Sequence, residues 1–236
     1  MAFTHGKNAK LYMNGYNLST YLDSIDSTGT DDVAEVSTFG TVQKPYVAGL
    51  EDGTLSMEGF YDGDTSAAET AIFSAMGNSA VVTWYPAGDT LGYAGFGMDA
   101  DATAHSIRAT LDGASRITAA AQSSTGMEHL ISLHPLTTTV YSAAFTGTAV
   151  DTGGDSTAGG SAYLQVTTSA STAVVSIRHS TDNFVASDDE LVAFTAASAR
   201  TYERVTFTGT VNQYVRAYVE ITASETITFN VGFSRT

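Results

Sequence analysis

Histidine, carboxylate and hydroxyl side chains are the groups that could do chemistry in this sequence, so their spacing is the first question. Glu128, His129 and His134 lie close together in Glu128-His129-Leu130-Ile131-Ser132-Leu133-His134. Two imidazoles and a carboxylate are a common start for a zinc site. The segment reads as a strand, however, and five residues along a strand place the two histidines on opposite faces, where they cannot share an ion. His5, His105 and His179 stand alone. Serine and threonine are abundant, but no G-x-S-x-G elbow gives one of them a nucleophile's setting. Asp188-Asp189-Glu190 and the Asp62/Asp64 pair could offer oxygens to calcium, yet neither has an ordered ladder of ligands, and both read as solvated turns. Gly92, Gly95 and Gly97 precede more strand rather than a helix, so they form no phosphate cradle. No carboxylate pair stands out as a polysaccharide-cleaving couple. The sequence predicts a protein that is not an enzyme and needs no metal or cofactor.

The elements that carry these residues are organised around Gly49 to Ala80. From Gly53 to Tyr61 the chain alternates: Leu55, Met57 and Gly59 point one way, and Thr54, Ser56, Glu58 and Phe60 the other. Asp62-Gly63-Asp64 breaks that strand. Ser66-Ala67-Ala68-Glu69 is a capping box that starts a short helix, with Ala68, Ile72, Ala75 and Met76 on its apolar face and Gly77-Asn78 as its stop. The strand Ala80 to Tyr85 follows. Ahead of this stretch, Asn14-Gly15 between Lys10 and Leu18 predicts a hairpin with a type I′ turn. Leu22 to Gly49 reads as a long irregular segment with a polar, turn-rich centre, and such a loop in a compact domain usually serves function. After the helix come a Gly-rich strand (92–98), strands at 102–112 and 114–122, and a closing strand at 128–134. His134-Pro135 is the expected boundary. Beyond it, strands are expected at 141–150, 160–168, 173–180, 190–195, 201–209, 214–221 and 226–233. That even spacing without a helix predicts a β-sandwich.

Composition constrains the partners. The 236 residues include 25 acidic and 10 basic side chains, a net charge of −15. The first 135 residues hold 16 acids against 5 bases, so most of the negative field lies there. Such a chain is unsuited to binding nucleic acid through its phosphates. Cysteine is absent, which excludes disulfides and thiolate chemistry. No apolar run reaches membrane-spanning length, and the first residues lack a signal-peptide core, so no membrane partner is expected.

Gly53, Thr54, Leu55, Glu58, Gly59 and Phe60, followed by Asp62, Asp64, the short helix and Ala80-Val81-Val82-Thr83-Trp84-Tyr85-Pro86, resemble the middle of the tail tube (major tail) proteins of long-tailed bacteriophages. In that family a Gly/Thr-Leu-x-x-Glu-Gly-Phe strand, a carboxylate-rich turn and a flanking helix recur. The resemblance covers residues 1–135. Residues 136–236 are similar to accessory Ig-like or jelly-roll domains. The resemblance implies a mainly β chain: an N-terminal β-sandwich or barrel tube domain (1–135) with one short flanking α-helix, then a C-terminal β-sandwich (136–236). It implies a structural virion protein, assembled in the host cytoplasm, whose hexameric rings stack into a tail tube. Its partners would be further copies of itself and the tape-measure and tail-terminator proteins, with genomic DNA passing through the lumen without specific binding. Acidic walls would let a stiff duplex slide; Glu58 is the candidate lumen acid. Asp26, Asp31, Asp32, Glu35 and Lys44 are candidate contacts between subunits or rings. The competing reading is a carbohydrate- or cell-surface-binding β-sandwich module or a virion decoration or baseplate protein. Tyr214 and Tyr218 would then contact a host-surface glycan through the C-terminal domain.

Overall fold

The computed structural model describes residues 6–39, 43–64, 68–141, 144–170, 172–220 and 225–236. The capping box falls partly on residues 65–67, outside the described residues. The chain is mainly β, with antiparallel strands and one short helix.

A 3-10 turn (Gly6–Asn8) leads into β1 (Lys10–Met13) and β2 (Tyr16–Asn17). Asn14 and Gly15 both have positive φ, 51° and 75°, as a type I′ turn requires. Then β3 (Leu22–Glu35) and β4 (Tyr46–Phe60) pair along nearly their whole length, from Leu22 opposite Gly59 to Glu35 opposite Tyr46. The segment expected to be an irregular loop is therefore a long two-stranded ribbon. The sequence hides it because neither face of its outer half meets a core, so no period-2 pattern is written there.

Burial in β4 alternates as read from the sequence: Gly53, Leu55, Met57 and Gly59 are buried, and Thr54, Ser56, Glu58 and Phe60 exposed. Gly59 is glycine because β3 begins against it; a Cβ there would lie 2.7 Å from the Leu22 Cα. Helix α1 (Ala68–Ala75) buries Ala68, Ala71, Ile72 and Ala75, and Gly77, at φ 73°, ends it. Met76, expected on the apolar face, is instead substantially exposed. Ala71 lies on the buried face at i+3 from Ala68, and Met76 falls just beyond the end of the helix.

Next, β5 (Ser79–Tyr85) pairs with β1 and with β6 (Ala94–Thr110), which is one 17-residue strand where two were expected. Its glycines accept aromatic rings: a Cβ on Gly97 would sit 2.7 Å from the Tyr163 ring. β7 (Gly113–Ser123) returns antiparallel between β6 and β4. β8 (Glu128–Tyr141) runs through the anticipated boundary, and Pro135 is accommodated where its pairing with the last strand shifts register. The second half comprises β9 (Phe145–Thr146), β10 (Val150–Asp151), β11 (Gly160–Ser169), β12 (Val174–Ser180), β13 (Asp189–Ala193), β14 (Thr201–Phe207), β15 (Tyr214–Glu220) and β16 (Glu225–Arg235). These match the expected strands, except that the described residues of 141–150 hold only the end of β8, the short β9 and the start of β10.

One sheet orders β14-β11-β16-β8-β6-β5-β1-β2, with β7, β4 and β3 continuing from β6. The second sheet orders β10-β15-β12-β13, with β9 beside β15. Two apolar cores result. Leu11, Leu55, Met57, Ile72, Trp84 and Ile117 represent the first. The second is a sandwich core, in which Leu133, Leu164, Phe229 and Phe233 of the long sheet meet Val175, Ile177, Val215 and Val219 of the other.

Candidate assembly surface

The ribbon β3–β4 is the feature a lone molecule explains least. Every described side chain from Thr30 to Val47 is exposed, although Val33, Val36, Phe39, Tyr46 and Val47 are apolar. Phe39 at the tip is fully exposed, and Leu50 is 79 % exposed. Fourteen residues of strand reach about 45 Å. A solitary two-stranded ribbon is marginally stable in water, and here it carries apolar residues that gain nothing from solvent.

The sequence-derived contact residues all lie on this ribbon. Asp26 stands opposite Ser56, and Asp31 opposite Glu51; Asp32 occupies a register shift between Asp31 and Val33. Carboxylates directly across a strand pair repel, so the middle of the ribbon is a negative segment. Near the tip, Glu35 accepts hydrogen bonds from the Ser37 hydroxyl (2.7 Å) and the Lys44 ammonium (3.1 Å). Those two donors, Ser37 first, hold its carboxyl below the usual range.

Glu58 faces solvent from the base of the ribbon, but not as a free charge. Its Oε1 accepts from Arg116 Nε at 2.9 Å, and Arg116 Nη2 reaches both carboxylate oxygens of Asp23 at 2.9 Å. These carboxylate bonds keep the guanidinium more firmly protonated than usual. Around this triad, β3, β4, β7 and β6 present one face of short polar side chains. Ser24, Asp26 and Thr28 align with Glu58, Ser56 and Thr54, and these with Thr118, Ala120 and Gln122. Apart from Arg116 and its β6 partner Arg108 at one edge, this surface is Ser, Thr and Ala with scattered carboxylates and offers few anchoring points to a polyanion. Arg116 was missed by the sequence reading, because only the β4–β7 register brings it to Glu58.

Tyr214 and Tyr218 sit half-buried on β15. The Arg178 guanidinium lies 3.8 Å from the Tyr218 ring centroid and so covers one face of it. Asp188 bridges Arg178 (3.2 Å) and Arg216 (2.9 Å), and the Asp62 carboxylate accepts the Asp64 amide at 3.1 Å within its turn. His129 is exposed beside Phe96, whereas His134 is buried and stacked on Phe229 at 4.0 Å. Among the described residues, no three potential metal ligands cluster, and no helix is long and apolar enough to cross a membrane.

No protein-family model and no curated protein matches the chain. Solved structures do. A chain of the virion of a native gene transfer agent particle is 14 % identical, with a TM-score of 0.45, over 54 % of this chain and 98 % of that one. The tail of the empty gene transfer agent particle, refined with C6 symmetry, gives 15 % identity and a TM-score of 0.44, over 53 % and 97 %. The SPP1 Dit protein, described as a hub of the adsorption apparatus in phages infecting Gram-positive hosts, gives 14 % and 0.36, over 96 % and 98 %.

A polar seam joins the two cores. The Asp89 carboxylate accepts from the Tyr12 hydroxyl (2.7 Å) and the Leu136 amide (2.5 Å). Gln165 accepts from the Gly15 amide (2.7 Å) and donates to the Val81 carbonyl (2.9 Å). Arg204 bonds Glu128, the Tyr163 hydroxyl (2.9 Å) and Asp99 (3.4 Å). Burial pushes the Asp99 carboxyl up, and Arg204 only partly offsets this. The ribbon thus projects from a body whose two cores are tied together by buried polar groups.

Proposed function

We propose that this chain is a structural protein of a phage-type virion tail, and that its copies form stacked, hexameric rings enclosing a tube for DNA. The observation that carries this reading is the exposed apolar ribbon: about 45 Å of paired strand whose Val33, Phe39 and Leu50 no other described residue covers. The Gly53–Phe60 motif and its resemblance to tail tube proteins support it. So does the Ser/Thr/Ala face of β3, β4, β7 and β6, which suits a wall past which DNA must slide. In this reading Asp26 and Asp52 face the lumen with Glu58, whose charge Arg116 largely balances. The first core with its ribbon builds the tube, and the sandwich core serves as the accessory domain. Tape-measure and tail-terminator proteins are its further partners in this reading.

The test is negative-stain electron microscopy of the purified protein across a range of concentrations. Rings or hollow tubes are expected. Residues 34–47 are then replaced by Asn-Gly, joining Val33 to its partner Ala48. The shortened protein should fold with unchanged thermal stability and form no tubes. Normal tubes from it would refute a role for the ribbon in assembly.

A further inference from the structure

A trough of about 650 Å³ opens beside the root of the ribbon. Trp84 forms part of its lining together with Ala9, Leu22, Ile25 and Pro86, and Lys7 stands at its rim. Lys7 and Lys10 also share an adjoining concavity, so two of the chain's ten basic residues are gathered here. The volume falls within the range of about 300–1,000 Å³ typical of clefts that bind ligands or side chains. The ribbon of the same molecule cannot fill it. Leu22 and Ile25 belong to β3, which leaves the trough and stays paired to β4 through Glu35, so the ribbon tip lies about 45 Å from its own trough.

We propose that the ribbon of one copy seats in the trough of the next. This rests on the assembly reading above and names the surface that receives the ribbon. Val33, Val36 and Phe39 bury against Trp84, Leu22 and Ile25. Asp31 and Asp32 approach Lys7 and Lys10, acid to base, while Asp23, which also lines the trough, is engaged by Arg116. Donor and acceptor are different patches of one surface; seated head to tail, the contact is heterologous: each bound copy offers a fresh ribbon or a fresh trough, and assembly propagates into rings or stacks. A reciprocal exchange of ribbons would instead close a two-fold dimer, and covalent dimers without higher multimers would overturn the propagating contact.

The chain has no cysteine, which makes cross-linking a clean test. Phe39→Cys and Pro86→Cys, both at exposed positions, are combined in one chain and oxidised. A ladder of covalent multimers is expected, at least tenfold more abundant than from Phe39→Cys combined with Val185→Cys. Val185 is exposed on the loop before β13, and that pair reports random collision. A ladder no stronger than the control overturns the contact. Electron microscopy of the wild-type protein separates the two claims. Rings or tubes without a specific ladder leave the assembly reading standing and refute this interface; neither rings nor a ladder refutes both.

Discussion

Leu55 and Ser56 are neighbours in the chain with opposite surroundings: Leu55 is 1 % exposed and Ser56 faces solvent. Leu55→Ala should cost about 2–5 kcal/mol through lost burial and the cavity left behind, while Ser56→Ala should stay within about 0.5 kcal/mol. Urea unfolding of both variants checks the contrast. His134 supplies a pH signature. Burial holds its pKa below the ordinary histidine value, although hydrogen bonds to the backbone of Phe229 and Pro135 act the other way. The unfolded chain takes up this proton near pH ~6.5, and the folded chain only at lower pH. Stability from His134 is therefore complete above that value and is lost as pH falls through the folded pKa. His179, depressed mainly by burial, acts in the same sense. Unfolding free energy measured from pH 7.5 to 5.5 should decline, and His134→Gln should flatten the decline. Asp99 acts with the opposite sign: its raised pKa adds relative stability as the pH falls.

At the scale of elements, the seam and the ribbon use polar residues in different ways. Arg204 has a side chain only 14 % exposed and holds two carboxylates, Asp99 of β6 and Glu128 of β8. Arg204→Met leaves Asp99 and Glu128 facing each other with little water. Breaking a buried pair typically costs about 3–5 kcal/mol, and the partial exposure of both acids places the expected loss near the lower end. Chemical denaturation measures it. Gly97→Ala should also destabilise, by about 1–3 kcal/mol, because its Cβ would press on Tyr163 and Leu130. The ribbon differs: its charged residues are solvated, and its pairing is held by main-chain bonds and, near the tip, by the bonds of Ser37 and Lys44 to Glu35.

For the whole molecule, β8 decides how the chain divides. Leu133 belongs to the second core, while Glu128 to Ile131 pair with β6 or with β16. A fragment of residues 128–236 should fold alone, and 136–236, lacking half of that strand, should not. Circular dichroism and thermal melts of both fragments check this. Folding of 136–236 would show that the sandwich core needs nothing before Pro135.

Much of this was written locally. The Asn14-Gly15 turn, the alternation in Gly53–Phe60, the Gly77 stop and the strands of the second half follow from backbone preferences and from a core on one side, and both leave a pattern in sequence. The pairing of Glu58 with Arg116, the links of Asp89 and Arg204 across the seam and the trough at Trp84 join residues tens of positions apart, so only the sheet registers could bring them together. The ribbon is the limiting case. Its strands pair with each other but bury neither face of their outer half, so no hydrophobic period records them; only the folded chain shows that Leu22–Phe60 is mostly paired strand.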